Sequence, residues 1–395
     1  MKTILIIGAG PLQIPGYLAA RELGLRIVGI DRNPEAPGLR LANVAHAVDT
    51  RDANGAIEVA RAEHVDGVMT LCTDFPVRTV AAVAQALGLS GPDSDTALRA
   101  THKGHMRSAF QRGGASIPRF RRVADADSAR RALEHVGLPA ILKPSASSGS
   151  RGVFKVRDQN QCAVAFEYAS AIDPEGEILV EEFVEGPEVS VEGISFRGKH
   201  HFIAITDKVT TGDPHWVELG HTQPSALPAE TQEQICVCAA RGLDALGIKD
   251  SASHVEIKVG PRGPVLIEIG ARLGGDFIST ELTARSTGVS MPRAAIQLAI
   301  GEKPDVERQW SRGSAIRYIE AAPGRVVLIR GVEEAKAVPG VAIVDVYPAV
   351  GEEVRPVLSS LDRVGHVIAE GATREAAVAA AERAKAVITI ETTHG

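Results

Sequence analysis

Aromatic side chains and sulfur are scarce in this 395-residue chain: Phe, Trp and Tyr make up 4%, and there are four Cys and four Met. Four cysteines, Cys72, Cys162, Cys236 and Cys238, are too few for a disulfide-stapled scaffold. Cys236 and Cys238 stand one residue apart in a helical-looking run with no second Cys or His pair nearby. Buried structural thiols are therefore favoured over a zinc site. Such cysteine usage predicts a reducing, cytoplasmic compartment. No apolar run of about 18 residues is present, so no membrane span is expected. The opening Ile4-Leu5-Ile6-Ile7 is broken by Gly8-Ala9-Gly10-Pro11 and reads as a buried strand, not as the core of a secretory leader. Positive charge is not in excess: 43 Lys and Arg against 49 Asp and Glu leave a net charge of −6. That excludes a nucleic-acid binder held mainly by phosphate contacts, while leaving room for a local basic pocket.

What is present is ordinary for a globular protein, with 44% hydrophobic and 23% charged residues. The length suits two to three domains at roughly 100–200 residues each. Residues 4–7, 26–30 and 67–71 read as strands separated by helices at 15–23, 56–64 and 79–87, the pattern of a parallel α/β sheet. The Gly88-Leu89-Ser90-Gly91-Pro92 segment breaks that pattern. Beyond it the texture becomes α+β. Residues 140–143 and 153–156 form a strand–turn–strand hairpin, strands follow at 178–183, 188–194, 254–259 and 265–269, and a helix occupies 231–246. A third texture starts near residue 314, with strands at 326–329, 341–347 and 364–370 and an alanine-rich helix at 373–387. The expected divisions are 1–100, 101–305 with a mobile lobe at about 120–185, and 306–395.

Five segments could carry chemistry. Gly8 and Gly10, with Asp31 downstream, match part of a dinucleotide-binding fingerprint, but Gln13 stands where the third glycine belongs. A Rossmann-like fold without cofactor is the expectation. Lys143 ends a strand and is followed by the small-residue run Ser145 to Gly152, whose backbone could approach phosphate oxygens closely. A mobile hairpin with a surface lysine would look the same. Glu181-Glu182-Phe183-Val184 leads to Glu188, which begins a strand with Ser190 and Glu192 on the same side. A solvated charge run is the plain alternative.

The most informative pair is His254-Val255-Glu256-Ile257-Lys258 and Leu266-Ile267-Glu268-Ile269-Gly270-Ala271-Arg272. A turn centred on Arg262 sets Glu256 opposite Glu268. Opposed carboxylates repel unless a cation lies between them, and oxygen-only ligands suit magnesium carried with phosphates. Arg272 leaves the strand toward the same region and could hold a phosphate or carboxylate. The competing reading turns one glutamate to solvent. Last, residues 207–224 read as a long irregular loop holding His215, Trp216, Glu218 and His221.

Taken in order, these segments resemble the ATP-grasp superfamily, and within it the dipeptide-forming L-amino acid ligases. The residues that carry the resemblance are Lys103, Ile141-Leu142-Lys143-Pro144, Glu181-Glu182-Phe183, Glu188, Glu256, Glu268 with Arg272, and Arg363-Val364-Gly365-His366-Val367-Ile368. The resemblance implies an ATP-grasp fold: a Rossmann-like N-terminal domain, a central two-lobed antiparallel-sheet nucleotide-binding domain and a small C-terminal α+β domain. It implies that Lys103 and Lys143 contact ATP phosphates and that Ser147, Ser148, Gly149 and Gly152 belong to the loop over them. Glu181, Glu182, Phe183 and Val184 would line the adenine slot, and Glu188 would hold the ribose. Glu256 and Glu268 would bind Mg²⁺, or Mn²⁺ in its place, with Glu268 and Arg272 acting in catalysis. Substrate contacts fall on His215, Trp216, Glu218, His221, Arg272 and Gly275.

The implied activity is ATP-dependent joining of a small carboxylate to an amine through an acyl phosphate, in a homodimer acting on neither nucleic acid nor membrane. Many members carry an asparagine two residues after the second metal glutamate, where this chain has Gly270. That departure disfavours the biotin-carboxylase-like alternative, and a single unrepeated chain disfavours a carbamoyl-phosphate-synthase-like one. An NAD-dependent oxidoreductase using Gly8, Gly10 and Asp31 is the rival from another class.

Overall fold

The computed structural model describes residues 1–393 except 148, 150, 174, 175, 214 and 215. The chain begins with a parallel sheet of β1 (Thr3–Ile7), β2 (Arg26–Asp31), β3 (Val44–Ala47) and β4 (Gly67–Met69), in the order β3-β2-β1-β4. All five residues of β1 are buried, as a strand covered on both faces requires. Helices Ile14–Glu22, Ala53–Ala62 and Val77–Leu87 accompany this sheet. The sequence reading missed β3, whose Val-Ala-His-Ala has no strong strand former beyond one valine.

A second sheet holds β5 (Phe120–Val123), β6 (Ala140–Pro144), β7 (Phe154–Val156) and β8 (Ile178–Glu182), in the antiparallel order β5-β8-β6-β7. The expected hairpin is present, with Ala140 opposite Val156. Ala132 and Leu133 of one helix and Ala165 and Ala169 of another cover Leu142, Val156 and Val180.

The remaining strands are β9 (Glu188–Phe196), β10 (Lys199–Thr210), β11 (Glu218–Gln223), β12 (Ser251–Gly260), β13 (Gly263–Gly270), β14 (Gly313–Tyr318), β15 (Gly324–Arg330), β16 (Val341–Val346), β17 (Glu353–Val354), β18 (Gly365–Gly371) and β19 (Thr389–Thr393). Eight of them form one antiparallel sheet, β13-β12-β9-β10-β11-β14-β18-β16, and β17-β15-β19 form a small separate one. The expectation of an irregular loop over 207–224 is corrected here. β10 runs to Thr210 and β11 starts at Glu218, leaving only residues 211–217 between them. Both strands carry polar side chains on a face that lines a polar site, so the apolar alternation that marks a strand is absent.

Alanines make the close packings. Ala377, Ala380 and Ala381 of helix Arg374–Val387 lie against Ala315 of β14 and Ala369 of β18. Helix Met291–Ala299 docks the eight-stranded sheet onto the N-terminal sheet, with Met291, Ala295 and Ile296 in one core with Ile4, Ile6, Ile194 and Ala252. A Cβ on Gly67 of β4 would stand 2.7 Å from the Ala299 carbonyl oxygen. Gly67→Ala should therefore destabilise the protein by about 1–3 kcal/mol through forced separation of backbones, measured as a lower thermal midpoint.

Candidate functional site

Strand alternation builds the site. Val189 and Val191 of β9 and Val255 and Ile257 of β12 point into a core shared with Met106 and Phe110 of helix Lys103–Arg112 and Ile235 and Leu243 of helix Ala229–Leu246. The residues between them therefore face the other way. The register pairs His254 with Glu192, Glu256 with Ser190 and Lys258 with Glu188. On the outer side β13 sets Glu268 opposite Glu256. This charged face and the β6–β8 sheet enclose a cavity of about 220 Å³.

Most of the residues singled out from sequence meet on its wall. Lys103, Lys143, Ser147 and Gly149 line it, as do Glu181, Glu182, Phe183 and Val184. Glu188, Trp216, Glu218, Glu256, Glu268 and Arg272 complete the set. Gly152 stands behind the wall, where a Cβ would meet Ile172 at 2.9 Å and Pro144 at 3.0 Å. Gly275 lies on the turn after Arg272, with its carbonyl accepting from Ile278 N–H at 2.9 Å. His221 is buried behind the cavity and faces Asp276. Ser148 and His215 lie outside the described residues.

Neither opposed glutamate is turned to solvent, and each has a lysine. Lys103 Nζ donates to Glu268 Oε1 at 2.9 Å and to the Ser147 carbonyl at 2.5 Å, tying the small-residue loop to β13. Lys208 bridges Glu256 and Glu188, the latter at 3.0 Å. Burial works against the Lys208 charge, but its two carboxylate partners hold its pKa well above the ordinary lysine value. Glu256 is correspondingly held well below the carboxylate range, by Lys208 and then His254, against its own desolvation. His254 is clamped by the fully buried Glu192 at 2.6 Å. Burial would lower its pKa; the Glu192 charge reverses this and lifts it to about 9. The other Glu192 oxygen accepts from Ser279 Oγ at 2.5 Å, and Ser279 in turn accepts from the Gly274 N–H at 2.7 Å. A Cβ on Gly274 would strike Glu192 at 2.5 Å and His254 at 2.7 Å.

Sequence reasoning missed three further partners. Arg107, fully buried, donates to Glu181 at 2.6 and 3.1 Å, and Lys143 lies 2.7 Å from the same carboxylate. The helix supplies Lys103 to the cavity and, four residues on, Arg107 to the lobe; that spacing is the signal that could have found it. Desolvation raises the Glu181 pKa, but Arg107 and Lys143 more than compensate and hold it at about 2. Asp74 takes Arg272 in a two-bond grip at 2.9 and 3.1 Å across 198 residues of chain, which no local pattern announces. Desolvation opposes its charge, yet the guanidinium keeps Asp74 below the usual range. Asp276 accepts from Arg363 at 2.7 and 2.8 Å, and the Arg363 guanidinium lies 3.6 Å over the Tyr318 ring.

A side chain at position 270 would crowd Arg272. A Cβ on Gly270 would stand 3.0 Å from the Arg272 guanidinium carbon and 3.3 Å from Asp74. The grip on Arg272 occupies the space that a side chain at 270 would need. The N-terminal glycine loop is filled by its own chain: Asp31 accepts from Ala9 N–H and Asn33 N–H, both at 2.9 Å, and Gln13 reaches the Leu71 carbonyl at 3.0 Å.

The residues at the cavity fit a divalent cation carried with phosphates. Among the described residues no group of three or more His, Cys, Asp or Glu could hold a metal alone. Two facing carboxylates are a suitable protein share when phosphate oxygens and water complete the shell. Glu256 Oε2 has no hydrogen-bond partner among the described residues, while Oε1 is taken by Lys208.

A charged, lysine-bearing cavity between two antiparallel sheets beside a Rossmann-like unit defines a nucleotide-phosphate-handling enzyme class, and comparison with known proteins identifies it. The chain belongs to the ATP-grasp family: residues 17–91 match the ATP-grasp N-terminal domain and 136–281 the ATP-grasp domain. Residues 317–393 match the second C-terminal domain of L-amino acid ligases. The uncharacterized protein y4rH of Sinorhizobium fredii is 30% identical over 346 residues, covering 85% of this chain and 71% of that one. Alanine–anticapsin ligase of Bacillus subtilis is 31% identical over 242 residues, covering 55% of this chain and 51% of its own length, about half. The fold matches the crystal structure of L-amino acid ligase from Bacillus licheniformis with a TM-score of 0.86 at 24% identity, covering 100% of this chain and 99% of that one.

Two outcomes test the geometry. Glu181→Gln leaves Arg107 and Lys143 buried without their shared carboxylate, and should cost about 3–5 kcal/mol in denaturant unfolding. Because the folded pKa of Glu181 is depressed, its contribution is present above about pH 4.5 and is lost as pH falls toward about 2; the variant should show a shallower stability loss across that window. Gly270→Asn should dislodge Arg272 and lower turnover by more than tenfold, on the order of one lost charged contact, with the thermal midpoint as a folding control.

Proposed function

We propose that the protein is an ATP-dependent carboxylate–amine ligase that joins amino acids or small acids in amide linkage. The observation that carries this reading is the convergence of Lys103, Lys143 and Arg272 with the facing Glu256 and Glu268 on one cavity wall, in a chain of the ATP-grasp family. The name of alanine–anticapsin ligase, which has alanine as one of the two joined partners, supports an amino acid as substrate.

A carboxylate is a poor acceptor for amines because oxide is a poor leaving group. In the proposed reaction a carboxylate oxygen attacks the γ-phosphorus of ATP, the bond to the β-phosphate oxygen breaks, and ADP departs. The amine nitrogen then attacks the acyl carbon, the C–O bond to phosphate breaks, and the amine's proton is lost. Lys103 and Lys143 hold phosphate oxygens, with Lys103 exchanging Glu268 for the nucleotide. Arg272, fixed by Asp74, steadies the transferred phosphoryl group. Glu181 keeps Lys143 in place, and Val184 and Phe183 line the base end, with Glu188 set for the ribose. Mg²⁺, or Mn²⁺, held by Glu256 and Glu268 would neutralise phosphate charge when bound. The loop at Ser147 and Gly149 excludes water from the acyl phosphate. Glu218, which lines the cavity and accepts from Ser360 Oγ at 3.1 Å, is a candidate to take the amine's proton. Four free thiols suit a reducing cytoplasm, and among the described residues no helix is long and apolar enough to cross a membrane.

The test is ADP and phosphate release against a panel of amino-acid and small-acid pairs, with mass detection of the amide. Glu268→Gln should reduce substrate-dependent ADP release by at least 100-fold, an effect of about 2.7 kcal/mol or more on the barrier. Undiminished turnover in that variant would contradict the assignment.

A further inference from the structure

We infer that Trp216 is a nucleobase-contacting residue, forming with Phe183 the aromatic wall at the base end of the cavity; this deepens the ligase reading and rests on ATP being its nucleotide. The sequence reading placed Trp216 with the acid and amine substrates. Its place beside Phe183 favours the nucleobase instead. Its ring centroid lies 5.7 Å from that of Phe183, with the planes tilted by 47°, and both residues line the same cavity. Those centroids are too close for a base to slide between the rings, so the two form one continuous corner against which a flat base packs.

Three features mark this corner, and the first of them points to a ligand. The Trp216 indole N–H is buried and has no hydrogen-bond partner among the described residues. Indole can only donate, so it lacks an acceptor, and the ring nitrogens of a purine are acceptors. Two ammonium groups converge on the same rings: Lys155 Nζ stands 3.6 Å from the Phe183 centroid and 5.4 Å from Trp216, and Lys258 Nζ stands 4.8 and 5.1 Å away. Lys155 is paired with Asp213 at 3.3 Å and Lys258 donates to the Val184 carbonyl at 3.2 Å, so both cations are held against the aromatic corner. Lastly, Trp216 adopts φ +51°, a left-handed backbone that a bulky residue rarely takes. Its N–H donates to the Gly212 carbonyl at 2.9 Å, which holds that conformation. Strain of this kind persists where the surroundings impose it, and binding sites are common among such places.

The chain has two tryptophans, so Trp310→Phe leaves Trp216 as the single indole fluorophore. Titration of that otherwise full-length protein with Mg-ATP should change Trp216 emission. Magnesium tripolyphosphate, which offers the phosphates without a base, should leave it unchanged. In the wild-type background, Trp216→Ala should raise the ATP dissociation constant roughly 5- to 100-fold, the range of one lost base–aromatic stack, and Trp216→Phe should recover most of that loss. The alanine variant is compared only if its thermal midpoint without nucleotide matches wild type; the fluorescence arm does not depend on it. If ATP protects the Trp310→Phe protein from thermal unfolding but emission does not move, or if tripolyphosphate moves it equally, the Trp216 assignment is overturned and the ligase reading stands. If ATP gives no protection at all, the ligase reading itself fails.

Discussion

Acidic charge crowded onto one face of a β-sheet is the constraint on which the rest of this molecule turns. β9, β12 and β13 place Glu188, Glu192, Glu256 and Glu268 on or beside a single wall. Carboxylates directly opposite one another on neighbouring strands repel, and burial makes each charge costlier. The fold answers with a cation for each: Lys208 for Glu188 and Glu256, His254 for Glu192, Lys103 for Glu268. A wall built this way is a set of carboxylates held in place by cations, with one oxygen of Glu256 left unclaimed among the described residues. The other faces of β9 and β12 carry valine and isoleucine, so the same alternation that exposes the charge anchors it to a core.

The ion pairs also decide how the parts of the chain meet. Asp74 follows the N-terminal sheet and Arg272 follows β13. Arg107 precedes the β5–β8 sheet and Glu181 belongs to it. Asp276 follows the central strands, and Arg363 precedes β18. Such pairs contribute little net stability, since desolvation offsets their attraction, but separating one leaves an uncompensated buried charge. A small displacement of one unit against another is therefore penalised at the cavity itself. Positioning of Arg272 is a property of the whole chain, not of the strand from which it emerges.

This explains which parts of the site were legible in the sequence. Glu256 and Glu268 could be paired because a short turn fixes register between adjacent strands, and counting from Arg262 suffices. Lys143 and its small-residue loop were legible because glycine and serine mark a backbone that needs room. The hairpin and the parallel sheet followed from period and punctuation. Asp74 and Lys208 were not legible, because the carboxylate–cation pairs Lys208–Glu256 and Asp74–Arg272 span 48 and 198 positions, while Arg107 was marked only by its place four residues after Lys103. β10 and β11 were hidden for a related reason: a strand whose one face lines a polar site loses the apolar alternation by which strands are recognised. The residues that make it functional are those that disguise it.

Gly270 and Asp31 show the same principle from opposite directions. In the sequence, Gly270 looks like a defect, an absent ligand where relatives of the resembled superfamily carry asparagine. In the structure it is the space that lets Arg272 lie against Asp74. Asp31, with Gly8 and Gly10, looks like part of a cofactor site, yet its carboxylate caps the turn that contains them. Asp31 has both oxygens occupied by backbone N–H groups, whereas Glu256 keeps one that is not. What the N-terminal unit contributes to the cavity is Asp74, placed beyond β4 to hold Arg272.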